Sequence, residues 1–139
     1  MSWPDSPDFA TLDKENTIST WTPDDSLVPL DQDHLDVMTD GDREFAAELI
    51  EMYRIDTRQR LEILRTALDG MDWERVEREA HTIKGASSNV GTSLVRSVAF
   101  ELEKLGHSAS MDGAGQLLEQ LIQEFARAEE ALQAWLSRE

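Results

Sequence analysis

Apolar residues recur at helical spacing through four successive stretches of this chain, and that period most narrows what it can fold into. From Ala46 the stripe runs through Leu49, Ile50, Tyr53, Thr57, Leu61, Leu64 and Leu68, with Glu48, Glu51, Arg58 and Glu62 on the opposite face. A repeat of about 3.6 residues sustained over many turns is satisfied by helices laid on helices. Asp42 opens this helix and Gly70 stops it. Asp72 caps the next, which buries Trp73, Val76, Ala80, Ile83, Ser87 and Val90 before Gly91 closes it. After Thr92-Ser93, Leu94, Val95, Val98, Leu102 and Leu105 face inward on a third helix that is expected to end at Gly106. Asp112 then begins the last, whose apolar face holds Leu117, Leu118, Leu121, Phe125, Ala128, Leu132 and Trp135. Short connections favour antiparallel neighbours, so the expected fold is an all-α, antiparallel up-down four-helix bundle. A short extra N-terminal helix, capped by Asp31 or Asp33 and running to about Met38, precedes it and ends at the Thr39-Asp40-Gly41 turn.

Residues 1–27 read differently. They hold Pro4, Pro7 and Pro23, many Ser, Thr and Asp residues and no helical period, so a flexible or loosely docked tail is expected before a domain at 28–139. Trp3 and Trp21 are the residues that would dock it.

A 40% hydrophobic content supports a core, and 139 residues suit one domain. The net charge of −16 repels nucleic acid and anionic membranes alike, so neither is an expected partner. With no cysteine, thiolate metal sites, disulfides and cysteine nucleophiles are excluded. The N-terminus has neither a basic region nor an apolar stretch, and no run of about 18 apolar residues occurs. A soluble, cytoplasmic, monomeric protein is the expectation.

The stretch from Ala80 to Gly91 carries the chemistry. A mid-helix glycine costs about 1 kcal/mol relative to alanine, and Gly85 is followed by two serines and an asparagine. Ala80, Ile83, Ser87 and Val90 point at the core, which places His81 about 100° round, at the edge of the buried stripe. Lys84 and Gly85 lie one turn on, with Ser88 a further turn away. An accessible imidazole beside a cation and a missing side chain meets the needs of a phosphoryl acceptor. The nucleophile must be the neutral ring. Lys84 would disfavour imidazolium and attract phosphoryl oxygens, or merely pair with Glu77 or Glu103. Gly85 leaves room for a partner's active site, and Ser88 would donate to a phosphoryl oxygen or bond within the helix.

These residues resemble a known family. His81, Lys84, Gly85, Ser87 and Gly91 match the His-x-x-Lys-Gly-x-Ser/Ala-x-x-x-Gly signature of histidine phosphotransfer (HPt) domains. The resemblance covers roughly residues 28–139 and includes Leu30-Asp31, Phe45 and Leu102-Glu103. It implies phosphorylation on the outward Nε2 of His81 and exchange with receiver-domain aspartates of response regulators, fed by a sensor or hybrid histidine kinase. It also implies that Mg²⁺ belongs to the receiver, that this chain has no cofactor of its own, and that Glu103 orients the histidine through Nδ1–H.

Other readings stay beside this one. An acidic helical adaptor that binds and inhibits a receiver or kinase would have the same composition. Met52 and Ile55 lie off the main stripe and suit either ordinary periphery or a receiver-docking patch. Gly91 is expected to be structural, and His34 and His107 incidental and without partners. Glu77 and His81 are spaced as a metal pair, but no second ligand set follows and no metal site is expected. With no glycine-rich nucleotide loop, the chain is expected to be a carrier without kinase activity of its own.

Overall fold

A computed structural model describes residues 26–138, and these form five helices with no strand among them. They are α1 (Gln32–Thr39), α2 (Arg43–Asp69), α3 (Trp73–Val90), α4 (Ser93–Ser108) and α5 (Ala114–Ser137). Most of the expected tail lies outside the described residues. Inside them the chain is fastened from Val28 onward, where its carbonyl accepts from Leu94 N at 3.2 Å and its amide meets Ser93 Oγ at 3.1 Å.

Three aspartates set the helix starts. Asp31, Asp42 and Asp72 each sit in non-helical backbone, and their carboxylates accept from the amides of His34, Phe45 and Arg75. Each satisfies an amide that the first turn leaves unpaired, a contribution of about 1 kcal/mol per cap. Asp31, not Asp33, caps α1.

The helices α2 to α5 form a closed ring of neighbours, α2 on α3, α3 on α4, α4 on α5 and α5 on α2. Leu64, Ile83, Leu102 and Leu121, one from each, are completely buried in the common core. Inside it the Tyr53 hydroxyl meets Ser87 Oγ at 2.8 Å and Thr92 Oγ1 at 2.7 Å. Burial pushes the Tyr53 phenol up to about 12, so it stays a neutral hydrogen-bonding group that ties α2 to the end of α3.

α1 lies across one end of the bundle. Asp31 N donates to Gly91 O at 2.8 Å, and Asp36 accepts from Trp135 Nε1 at 3.1 Å. The buried Trp135 ring also receives the guanidinium groups of Arg43 and Arg138, at 5.7 and 4.8 Å.

Two helix boundaries differ from expectation. α4 does not stop at Gly106. It continues to Ser108, and Ala109 takes the left-handed conformation that ends it. Gly106 is instead a point of close approach: a Cβ there would stand 2.7 Å from Glu77 N and 2.9 Å from Glu77 Cα. α5 begins after Gly113, whose φ of +76° provides the turn, and not with an Asp112 cap.

Candidate functional site

α3 and α4 place the site between them. His81 stands on the outer shoulder of α3 with 65% of its side chain exposed, while its neighbours Ala80 and Ile83 are buried. From α4, Glu103 Oε2 lies 2.8 Å from His81 Nδ1. A carboxylate only accepts, so Nδ1 carries the proton and donates it, and the lone pair falls on Nε2. No described residue forms a hydrogen bond with Nε2.

Lys84 takes the pairing alternative. Its Nζ lies 2.7 Å from Glu103 Oε1 and 4.8 Å from the centre of the Phe100 ring. Glu103 is therefore held from both sides, by Lys84 at one oxygen and His81 at the other. Partial burial pushes its carboxyl up, but Lys84 and His81 together outweigh that and hold it below the usual carboxylate range. Glu103 thus stays an acceptor wherever His81 needs one. Phe100, which the apolar pattern did not single out, is 41% exposed under the ammonium groups of Lys84 and Lys104.

Gly85 is exposed, and a Cβ built on it would meet nothing within 4 Å. Nothing in the fold requires glycine there. Ser88 is held from the next helix: its Oγ accepts from Arg96 Nε at 2.9 Å, two turns along α3 from His81. The serine beside it, Ser87, is buried on Tyr53, a hydrogen bond that the stripe of apolar positions conceals.

Gly91 ends α3 with φ +91°, and a Cβ there would press on Asp31 O at 3.1 Å and His34 Cδ2 at 3.2 Å. The two other histidines do have partners, contrary to expectation. His34 Nε2 is 3.0 Å from Asn89 O, and His107 Nδ1 is 3.0 Å from Glu77 Oε2. Met52 and Ile55 project from α2 with 70% and 52% of their surface exposed, and Phe45 is exposed on the same helix. Among the described residues no group of acidic and imidazole side chains is arranged to hold a metal ion.

A family model for the Hpt domain matches residues 48–134, which takes in His81, Lys84, Gly85 and Glu103. The chain belongs to the Hpt domain family. Within that family it is similar to the phosphorelay intermediate protein rdeA of Dictyostelium discoideum, 29% identical over 94 residues that make up 68% of this chain and 37% of that protein. It is also similar to histidine-containing phosphotransfer protein 5 of Arabidopsis thaliana, 25% identical over 97 residues, 68% of this chain and 62% of the other. The chain thus aligns with less than two thirds of either relative. Among solved structures, the crystal structure of histidine-containing phosphotransfer protein B from Pseudomonas aeruginosa PAO1 matches with a TM-score of 0.76 and 28% identity. That match covers 82% of this chain and 99% of the other, so the Hpt helical bundle is the shared fold. No described helix is long and apolar enough to cross a membrane.

Proposed function

We propose that this Hpt domain accepts a phosphoryl group on Nε2 of His81 from a receiver-domain aspartate, or from a kinase, and passes it to the aspartate of a response regulator in a two-component phosphorelay. The observation that carries this reading is the His81–Glu103 pair at 2.8 Å, which fixes the proton on Nδ1 and leaves an exposed Nε2 to attack. In the transfer, the Nε2 lone pair forms the N–P bond while the P–O bond to the donor carboxylate breaks. The ring then holds a positive charge on the phosphorylated imidazole, and Glu103 stabilises it without taking the proton.

The partner supplies the rest. Receiver domains of response regulators and a sensor or hybrid histidine kinase are the proposed partners, with Mg²⁺ bound on the receiver and no cofactor on this chain. The open space over Gly85 admits the partner's phosphoryl-bearing loop, and Met52 and Ile55 give it apolar surface to bury. The chain acts as a cytoplasmic, monomeric carrier without kinase activity of its own.

Incubation with a phosphorylated receiver domain tests this. The full chain should take up label that is lost in acid and stable in base. His81→Gln should take up none while keeping its helical circular dichroism. Acid-stable label, or label that persists in His81→Gln, refutes the assignment. Unlabelled wild-type protein that still binds and blocks the receiver supports the adaptor instead.

A further inference from the structure

Glu77 stands one turn before His81 on α3, the i, i+4 spacing at which a helix brings a carboxylate and an imidazole together. The two residues share one cleft of about 370 Å³, lined by Glu74, Glu77, Arg78, His81 and Glu103. Yet among the described residues only Glu103 forms a hydrogen bond with the His81 ring. Glu77 Oε2 is engaged by Nδ1 of His107, one turn after Glu103 on α4, at 3.0 Å. Two glutamate–histidine pairs therefore cross the same helix interface side by side.

Gly106 sets the arrangement. Because no side chain fits between it and the Glu77 backbone, α4 presses on α3 beside His107. The pair itself does little for stability, since His107 is 78% exposed and exposed ion pairs contribute at most about 1 kcal/mol. What it changes is the choice of acceptors offered to His81. A carboxylate that accepted from Nε2–H would put the proton on the atom that has to attack.

We propose that His107 is a positioning residue for phosphotransfer at His81: by occupying Glu77 it keeps that carboxylate off the nucleophilic ring and leaves Glu103 as its acidic partner. The inference rests on the phosphotransfer reading above, but its first readout is independent of it. Nitrogen-15 NMR of the histidine rings in the full-length protein reports which nitrogen of His81 carries the proton, with no phosphoryl donor present. The second readout is the rate of uptake from a phosphorylated receiver domain.

His107→Ala should raise the share of the Nε2–H form and slow uptake by about three- to tenfold, the range that one competing hydrogen bond of ordinary net strength carries. Removing the competitor as well, in the Glu77→Ala/His107→Ala double variant, should restore both readouts to within about twofold of wild type. His107→Gln keeps a donor for Glu77 and should retain the wild-type rate. The proposal is overturned if wild type accepts label and His107→Ala matches it in both readouts. It is equally overturned if the double variant stays as slow as His107→Ala, because the effect would then belong to His107 itself. Should wild type take no label at all, the phosphotransfer reading fails, and the ring NMR alone still decides whether His107 sorts the two carboxylates.

Discussion

Alanine in place of Gly85 adds one methyl group at a helical position where nothing lies within 4 Å of it. Alanine is favoured over glycine inside a helix by about 0.5–1 kcal/mol, chiefly because the unfolded chain loses freedom. No contact opposes that gain, so Gly85→Ala should raise the unfolding free energy by the full amount. Urea denaturation would show it as a higher midpoint at unchanged slope. The same methyl at Gly106 meets the Glu77 backbone at 2.7 and 2.9 Å, and backbone cannot rotate aside. Overpacking of that kind costs about 1–3 kcal/mol against a propensity gain of about 1 kcal/mol, so Gly106→Ala should lose up to about 2 kcal/mol. Two glycines inside helices thus carry opposite signs. Uptake of label from a receiver should fall in Gly85→Ala despite its greater stability, and further in Gly85→Leu. The reasoning is refuted if Gly85→Ala is less stable than wild type, or if even Gly85→Leu transfers at the wild-type rate.

Glu103 is held below the usual carboxylate range, so its pairs contribute stability that is complete above the ordinary glutamate pKa and lost as pH falls through its lower folded value. The stability gap between wild type and Glu103→Gln should therefore close on going from neutral pH into acid, and urea melts in which the gap stays constant or widens would contradict this. Tyr53→Phe removes the hydroxyl shared by Ser87 and Thr92 and should cost about 1–2 kcal/mol in the same assay, with an unchanged midpoint as the contrary result. Met52→Glu/Ile55→Glu should weaken binding to a receiver domain, measured by titration calorimetry, while leaving the urea midpoint near that of wild type because both side chains are exposed. Unchanged affinity would remove α2 from the docking surface.

The helix order, the aspartate caps and the exposure of His81 are legible in the sequence because each depends on residues within a turn or two of one another. Local pattern alone misplaces the end of α4. A glycine that lets two helices touch and a glycine that ends one look alike until the partner backbone, Glu77, is in view, and here Ala109 does the ending. Asp112 and Gly113 are adjacent residues that both suit a helix start, and the left-handed turn decides between them. The partners of His34 and His107 lie 55 and 30 residues away, beyond any periodicity. Ser88 accepts from Arg96, a partner on the next helix that the pattern along α3 does not reveal. Tyr53 and Ser87 read as members of apolar stripes and Thr92 as part of a connection, so their shared hydrogen bonds stay hidden until the helices are assembled.

Glu103 belongs to a different helix from the ring it holds, 22 positions further along the chain. A peptide copied from residues 73–91 would contain every letter of the signature and still leave its imidazole free to exchange between two tautomers. The reactivity of this histidine is thus a property of the assembled interface, and loosening α4 would silence the chemistry well before the chain unfolds.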